Sequence, residues 1–394
     1  MDVRRELGIR PVINARSYST KLGGAPMLPE VLEAMRQIAD VCVRMDELQD
    51  AASRIITEAT GAEAGIVTSG AAAGLTLAAA AAIAGLDVTR MNRLPDTSGV
   101  PCEIVLHRSH RNDYDHSLRA AGARLVEVGY SYYTFPYEVE QAIGENTAAL
   151  YYQAGGAGMA IPFPEFVQIA HRHGKPVIVD AAAELPPAGR LRSYIAAGAD
   201  MVTFSGGKHL RGPQSTGILC GRADLILSAA LQHQDMDVFP HSWPLRRLIA
   251  DGRLAGPPHH GIGRGFKVGK EEIAGLMTAL LMYPDRDFQA ELDGWRRDME
   301  CIAAAATAAG VAASVRFPQD SGRTVPQAVI GVDAASAGMT ANDVINALQE
   351  GEPRIFVFEQ LGDQGTIVFM PEALKAGDAD LIATRLRRIL EQRS

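Results

Sequence analysis

From about residue 46 the sequence alternates amphipathic helical segments with short apolar runs, and this alternation constrains the fold more than any other feature. The segment DELQDAASRIITEATGA places Leu48, Ala52, Ile55 and Ile56 on one helical face. The apolar run AEAGIVTSG follows it and ends in glycine. Parallel strands need long crossover connections, which are usually helices, so this order predicts an α/β fold with a mainly parallel sheet.

The same alternation continues through the middle of the chain. The predicted strands are EIVLH, RLVEVG, TAALYYQ, KPVIVDAA and MVTFSGG, and the predicted helices are YDHSLRAAGA, YEVEQAI and PFPEFVQIAHRHG. The segment GRLAGPPHHGIGRGFKVG, between Gly252 and Gly269, is rich in glycine and proline and has no periodicity. Beyond it, helices such as ADLIATRLRRILEQ mix with two strands, RIFVFE and GTIVFM, as in a small α+β domain.

These patterns predict a division of the chain into four segments. Residues 1–45 form an N-terminal arm and helix, and residues 46–255 form a large α/β domain. Residues 256–270 form a junction that closes over the active site, and residues 271–394 form a small C-terminal α+β domain.

Composition excludes several classes of function. The net charge is −8 over 394 residues, which argues against a large nucleic-acid footprint because phosphate binding relies on clustered lysine and arginine. The four cysteines form no C-x-x-C pair. The run from Ala71 to Leu86 is shorter than the roughly 20 apolar residues that span a bilayer, and it predicts a buried core helix. The N-terminal sequence lacks a signal-peptide core, so we expect a cytoplasmic protein with a small-molecule substrate and no nucleic-acid or membrane partner.

Residues with reactive or polar side chains follow several predicted strands. Doubly wound sheets bind ligands outside the carboxyl ends of their strands, so these positions are candidates for a site. They are Thr68, Ser69 and Gly70 after the first strand, His110 after the second, Asp180, and Ser205 with Lys208.

The pair Asp180 and Lys208 carries the strongest chemical signal. A buried carboxylate needs a cation or a protonated ring nitrogen, although it can also be a cap or a structural ion pair. Lys208 lies 28 residues further on, about one strand-helix-strand unit, which places the two side chains on neighbouring strand ends. The Ser69-Gly70 helix start is either an ordinary N-cap or a phosphate cup. Together these groups predict pyridoxal 5'-phosphate, which requires a lysine, an acidic partner for its ring nitrogen and a phosphate site.

The segment FSGGKHLRGPQSTGI resembles the lysine segment of the selenocysteine synthase family, within the fold-type I pyridoxal-phosphate enzymes. The resemblance extends to VINARSYSTKLGG, ELQ, TSGAAAG, HRNDYDHSLRAAGARLVEVG, VDAAAELPP and GFKVGKEEI. The chain is most similar to the branch that resembles D-glucosaminate-6-phosphate ammonia-lyase, because it is acidic and lacks room for an N-terminal tRNA-binding domain. The resemblance implies an aspartate aminotransferase-like fold with a mainly parallel seven-stranded sheet, a small C-terminal domain and a homodimer or larger homo-oligomer.

The resemblance also assigns roles to the candidate residues. It implies that Lys208 forms the Schiff base and that Asp180 partners the ring nitrogen. His110 would stack on the ring, with His107 as a close alternative. The implied phosphate site consists of Ser69, Gly70 and Ser205, with Thr68 in the same turn.

Binding of the substrate's anionic groups is less well defined. Arg264, Lys267 and Lys270 are either an anion site or solvated charges at a helix start. The family often carries an arginine in the strand that resembles RIFVFEQ, where this chain has Phe358, so Arg354 is the expected substitute.

The segment HRSHRNDYDH contains His107, His110 and His116, but their spacing crosses a strand-to-helix junction, so we predict no metal site.

The resemblance implies a lyase that eliminates the β-substituent of a β-hydroxy amino acid or amino sugar acid, with or without a phosphate, to give a 2-keto acid and ammonia. Lys208 would remove the α-proton. Four alternatives stay open at this point: a racemase, an aminotransferase, a selenium transferase acting on aminoacyl-tRNA, and a non-catalytic protein of the same fold.

Overall fold

The structure is a computed structural model that describes residues 2–156, 158–317 and 325–392. The chain divides into two compact units, Met27–Asp285 and the combination of Met1–Pro26 with Arg286–Ser394. These boundaries lie elsewhere than those expected from the sequence, and the glycine- and proline-rich connection lies inside the larger unit. The division into four segments stays a prediction. Among the described residues, no helix combines the length and apolar character needed to cross a membrane.

The strands are named in chain order. They are β1 Val12–Ala15, β2 Ala64–Thr68, β3 Glu103–His107, β4 Arg124–Val128, β5 Thr147–Gln153, β6 Val177–Asp180, β7 Met201–Ser205, β8 Gly217–Gly221, β9 Ala312–Arg316, β10 Gln327–Gly331, β11 Arg354–Val357 and β12 Thr366–Phe369.

The α-helices are named in the same way. They are α1 Val3–Glu6, α2 Pro29–Ala39, α3 Met45–Thr60, α4 Ala71–Ala84, α5 Val88–Arg93, α6 His116–Ala120, α7 Pro136–Ala142, α8 Phe163–Arg172, α9 Arg190–Ala196, α10 Ala223–His233, α11 Arg247–Ala250, α12 Lys270–Met282, α13 Phe288–Ala308, α14 Ala334–Ala337, α15 Ala341–Glu350 and α16 Asp378–Glu391.

The larger unit is built on a seven-stranded sheet in the order β2-β8-β7-β6-β5-β3-β4. Strands β4, β3, β5, β6 and β7 pair in parallel, whereas β8 runs antiparallel to both of its neighbours. The predicted α/β class with a mainly parallel seven-stranded sheet is confirmed. Strand β8 was not predicted, and its insertion leaves β2 pointing in the same direction as β7.

The core of this unit forms between the sheet and α4. The alanine-rich sequence of α4 removes side-chain bulk, and Ala78, Ala79, Ala80 and Ala81 are completely buried. They pack against strand residues such as Ile104 in one apolar cluster. The run from Ala71 is thus a core helix, as its length predicts, and its N-terminus follows the carboxyl end of β2.

The smaller unit contains two short sheets among its described residues. Strands β1 and β11 pair in parallel, and β9, β10 and β12 form an antiparallel sheet in the order β12-β10-β9. Helices α13, α15 and α16 contribute Ile302, Val344, Leu386 and other apolar residues to its core. The predicted strands RIFVFE and GTIVFM correspond to β11 and β12, whereas β1, β9 and β10 were not predicted.

Candidate active site

The carboxyl ends of the parallel strands meet along one edge of the large sheet, and all of them except β4, which ends at Val128, present a polar residue there. The last residues of these strands are Thr68 of β2, His107 of β3, Gln153 of β5, Asp180 of β6 and Ser205 of β7. Sequence reasoning selected all of these positions except Gln153. The topology therefore assembles one polar edge from strands that are distant in the sequence.

Asp180 is almost completely buried at this edge. Its Oδ1 atom accepts a hydrogen bond from the Ala182 N–H over 3.0 Å, and its Oδ2 atom lies 3.4 Å from the Tyr151 hydroxyl. Burial raises the pKa of Asp180, while the Ala182 N–H and the positive charge of Lys208 act to lower it. Lys208 and Asp180 are thus electrostatic neighbours.

Lys208 lies in a tight turn directly after β7. The Gly206 N–H donates to the Thr216 carbonyl over 2.8 Å, and the Gly212 N–H donates to the Gly206 carbonyl over 2.9 Å. Arg211 within this turn adopts a left-handed conformation with φ of 59°, which is uncommon for a residue with a side chain. These bonds hold the half-buried Lys208 in a closed loop rather than on a free surface segment.

The N-terminus of α4 forms a small cup beside this turn. Gly217 of β8 is the register partner of both Thr68 and Ser205, so it lies between the two strand ends. A Cβ atom at Gly217 would come within 2.5 Å of the Gly70 carbonyl carbon, and Gly70 itself has φ of 94°, which favours glycine. The helix start therefore approaches β8 closely. Ser69 and Ser205 are both partly exposed beside it.

The Thr68 hydroxyl is used within the protein, because it donates to the Gly70 carbonyl over 2.9 Å. Its contact shapes the turn at the start of α4. The hydroxyls of Ser69 and Ser205 and the first backbone N–H groups of α4 are the donors that suit an anion at this position.

His107 and His110 form a buried pair after β3. Their ring centroids lie 4.6 Å apart in an edge-to-face arrangement, and Tyr152 and Phe166 pack around them. Burial lowers the pKa of His107 to about 3 and the pKa of His110 to about 4. Both rings are consequently neutral at physiological pH.

The backbone after β5 approaches the His110 ring closely at Gly156. A Cβ atom at Gly156 would lie 2.7 Å from Cδ2 of His110, closer than real Cβ contacts allow. The Gln153 N–H donates to Nδ1 of the same ring over 3.3 Å. The segment after β5 thus fixes the position of His110.

Sequence reasoning missed a polar network that joins these groups. Oε1 of Gln153 accepts hydrogen bonds from the Tyr151 hydroxyl over 2.7 Å and from Nδ2 of Asn112 over 2.8 Å. The Gln153 Nε2 group donates to the carbonyls of Ala154 and Asp180 over 3.2 and 3.4 Å. The available signal was the glutamine at the end of the predicted strand TAALYYQ.

The three basic residues predicted to bind an anion differ in their ion pairs and exposure. Arg264 forms an ion pair with Asp235 over 3.2 Å. Lys270 pairs with Glu271 over 2.6 Å and also donates to the Ala39 carbonyl. Lys267 is exposed. The structure therefore leaves Lys267 as the strongest of the three candidates for an external anion.

Arg354 belongs to the smaller unit and has partners there. Its Nε atom donates to the Gln349 carbonyl over 2.9 Å, and its guanidinium lies over the Phe356 ring at 5.2 Å. Its expected role in carboxylate binding stays a prediction.

Among the described residues, one group has the spacing of metal ligands: Asp235, Asp237 and His260, all exposed. This group does not include His107, His110 or His116. The guanidinium of Arg264 already pairs with Asp235.

The mainly parallel seven-stranded sheet, with a lysine and a buried aspartate at its carboxyl edge, defines an enzyme of the aspartate aminotransferase-like fold, fold type I. The same fold is seen in Thermus thermophilus aspartate aminotransferase, with a TM-score of 0.50 and 15% identity over 98% of this chain and 94% of that chain. Residues 12–237 match the family model SelA, L-seryl-tRNA selenium transferase, and the chain belongs to this family.

Two relatives are similar over nearly the whole chain. The D-glucosaminate-6-phosphate ammonia lyase of Salmonella typhimurium is 34% identical over 99% of this chain and 98% of its own length. The 5'-C-glycyluridine monooxygenase-decarboxylase of a Streptomyces species is 34% identical over 98% of this chain and 91% of its own length. A solved structure of D-glucosaminate-6-phosphate ammonia-lyase has a TM-score of 0.81 and 32% identity, covering 100% of this chain and 99% of that chain. The resemblance found in the sequence is thereby confirmed.

Proposed function

We propose that this enzyme is a pyridoxal-phosphate-dependent ammonia-lyase that acts on a 2-amino-3-hydroxy acid. The observation that carries the proposal is the similarity to an ammonia lyase over essentially the full chain, at 34% identity and a TM-score of 0.81. The buried Asp180 beside Lys208 supplies the chemical support. A racemase or an aminotransferase would need the same two residues, so the reaction type depends on the relatives and on the test below.

The residues of the candidate site fit pyridoxal phosphate. The Lys208 amine would attach the cofactor covalently, and Asp180 would hold the proton on its ring nitrogen. Ser69, Gly70 and Ser205 would bind its phosphate at the start of α4, where Gly217 leaves room for close approach of the backbone. His110, held by Gln153 and Gly156, would lie against the ring.

Bound pyridoxal phosphate supplies an electron sink that stabilises negative charge at the substrate's α-carbon. The protein supplies the proton transfers. Nζ of Lys208 would remove the α-proton as general base. The β-hydroxyl then leaves as water, and water later replaces the amine, so the net products are a 3-deoxy-2-keto acid and ammonia.

The names of the relatives favour a common substrate class. Glucosaminate and seryl groups each carry an amine at carbon 2 and a hydroxyl at carbon 3, and a glycyl group on the 5' carbon of uridine has the same arrangement. What differs is the group beyond carbon 3. We therefore infer that the site recognises the 2-amino-3-hydroxy acid and that a separate surface, which includes Lys267, selects the distal group.

The equal identity of the two relatives makes oxidative decarboxylation the second candidate function. The two reactions differ in their products. An ammonia-lyase releases keto acid and ammonia in equal amounts without consuming oxygen, whereas a monooxygenase-decarboxylase consumes oxygen and releases carbon dioxide.

The test is a screen of 2-amino-3-hydroxy acids of both configurations, with and without a terminal phosphate. Ammonia, keto acid, dissolved oxygen and carbon dioxide are followed together, without an added keto-acid acceptor. We expect equimolar ammonia and keto acid in air and under nitrogen alike. Activity that requires oxygen, activity that requires an amino-group acceptor, or racemised substrate alone would overturn the proposed reaction.

We also infer a homodimer or larger homo-oligomer, because the family resemblance implies it. The exposed aromatic residues Tyr130, Tyr132, Phe135 and Tyr137 support this inference, since exposed apolar patches commonly mark interaction surfaces. Light scattering of the purified protein measures the assembly directly, and a monomeric mass would contradict it. The cytoplasmic location and the lack of nucleic-acid and membrane partners stay predictions.

A further inference from the structure

Asp180 depends on a small number of groups to remain ionised within the protein. Burial favours its neutral form. The Ala182 N–H, the Lys208 charge and the Tyr151 hydroxyl favour its ionised form. The Lys208 charge would change during the proposed reaction, because its amine would be covalently attached at one stage and would carry the α-proton at another. The Tyr151 hydroxyl approaches Asp180 from β5, the neighbouring strand, and takes no part in that exchange.

The hydrogen bonds around Gln153 determine what the Tyr151 hydroxyl can do. Because Nε2 of Gln153 donates to two carbonyls, its Oε1 atom is the one that faces Tyr151 and Asn112. Oε1 therefore accepts from both side chains. If the Tyr151 hydroxyl turns away, Asn112 still satisfies Gln153, and no buried acceptor loses its only side-chain donor.

The single hydroxyl proton of Tyr151 thus has two acceptors within reach. Oε1 of Gln153 lies at 2.7 Å and Oδ2 of Asp180 at 3.4 Å. Burial and the nearby Asp180 carboxylate raise the pKa of Tyr151 well above its ordinary value, so the hydroxyl keeps its proton and acts as a donor.

We propose that Tyr151 is a positioning residue for Asp180, and that its hydroxyl turns from Gln153 to Oδ2 of Asp180 to hold the carboxylate in place when the Lys208 charge is withdrawn. This inference rests on the proposed function, because it assumes that Asp180 contacts the cofactor. Among the described residues, the other charged groups that act on the pair are Lys208, from the turn after β7, on Asp180 and Asp115 on Tyr151.

The test uses the holoenzyme and compares Tyr151→Phe with the wild type. Absorbance of the bound cofactor and kcat/KM are both followed from pH 8 to pH 5. Losing a donor to the carboxylate makes Asp180 take up a proton at higher pH, so the acid-side midpoint should rise by about one pH unit, a tenfold change in the protonation equilibrium.

The matched control is Tyr152→Phe, which deletes the neighbouring hydroxyl, bonded to the Ile161 carbonyl at 3.4 Å rather than to Asp180. Its acid-side midpoint should equal that of the wild type. A midpoint that is unchanged in Tyr151→Phe, or that moves equally in Tyr152→Phe, would overturn the inference.

Two further variants keep the test decisive. Asn112→Ser removes the second donor to Gln153 and should retain the Tyr151 hydroxyl on Oε1, so the midpoint should rise, by less than in Tyr151→Phe. An unchanged midpoint in this variant counts against the inference even if Tyr151→Phe does not fold. Asp180→Asn should abolish the midpoint; if the midpoint persists, Asp180 does not contact the cofactor, and the proposed site fails together with the inference.

Discussion

The main-chain N–H of Gln153 donates to Nδ1 of His110 over 3.3 Å, and this bond determines which ring nitrogen carries the proton. Since Nδ1 accepts, the neutral ring is protonated at Nε2. Burial keeps the His110 ring neutral, and it also keeps the ring of His107, 4.6 Å away, neutral. Burial therefore keeps both rings neutral, and the backbone hydrogen bond sets the tautomer of His110.

The histidine pair makes stability depend on pH. The pKa values of about 3 and about 4 lie below the ordinary value of 6.5, so between these values the unfolded rings bind protons that the folded rings do not. The contribution of the pair to the free energy of unfolding should therefore be fully present above pH 6.5. It should fall as the pH is lowered, with a slope that approaches about 1.4 kcal/mol per pH unit for each ring between its two pKa values.

His107→Phe tests this dependence, because neither nitrogen of His107 has a hydrogen-bond partner among the described residues. Between pH 6 and pH 5 its free energy of unfolding should fall by about 1.2 kcal/mol less than that of the wild type. Urea unfolding at pH 7, 6 and 5 measures the slope. The exposed His116, changed to Gln, is the control, and an unchanged slope in His107→Phe would show that this ring is not the source.

Gly156→Ala should displace His110, since the added Cβ would lie 2.7 Å from the ring. We expect cofactor affinity to fall at least about tenfold, or about 1.4 kcal/mol, with a smaller change in stability. Gly144→Ala is the matched control, because a Cβ there has no neighbour within 4 Å. Fluorescence titration of the apo-enzyme measures the affinity, and equal affinities in the two variants would contradict the role given to the segment after β5.

Lys208→Ala should abolish covalent attachment of pyridoxal phosphate. Borohydride reduction of the wild type, followed by peptide mapping, should place the cofactor on Lys208. Lys175→Ala removes a lysine that donates to the Thr147 carbonyl over 2.7 Å, and it should leave attachment unchanged. A reduced adduct on another lysine in Lys208→Ala would show that the site is assigned to the wrong residue.

Asp180→Asn should retain the cofactor through its phosphate and lose turnover, because the amide cannot hold the ring nitrogen protonated. A fall of at least about 100-fold in kcat corresponds to about 2.7 kcal/mol in the barrier. Asp200→Asn is the control, since Asp200 is also buried but pairs with His171 and Arg222. Near-normal turnover in Asp180→Asn would remove Asp180 from the mechanism.

The sequence was informative where one residue type determines the structure locally. The β-branched run before Asp180 predicts a buried parallel strand. The strand-end rule, that ligands bind outside the carboxyl ends of such strands, then selects both Asp180 and Lys208. Strand β8, Gly217–Gly221, was missed because its GILCG sequence is short and has glycine at both ends, which weakens the strand signal. Its place between β2 and β7 depends on tertiary pairing.

The network around Gln153 could be predicted only in part. The strand-end rule applied to TAALYYQ would have selected Gln153, but its bonds to Asn112 and Tyr151 join side chains 41 residues and 2 residues away. No periodicity encodes such contacts. The ion pairs of Arg264 and Lys270 could not be predicted either, because the sequence shows that a residue is charged but not which residue it pairs with.

Lys267 should select substrates that carry a distal anion, because Arg264 and Lys270 already pair with Asp235 and Glu271 whereas Lys267 is exposed. In Lys267→Ala the KM for a phosphorylated 2-amino-3-hydroxy acid should rise about tenfold, or about 1.4 kcal/mol, at unchanged kcat. The KM for the unphosphorylated analogue should stay the same, since the lost charge has no partner there. Lys375→Ala, a change at another exposed lysine, should alter neither constant. The comparison requires both substrates at low ionic strength, because salt screens an exposed charge, and an equal rise in KM for the two substrates would exclude Lys267 as the anion-selecting residue.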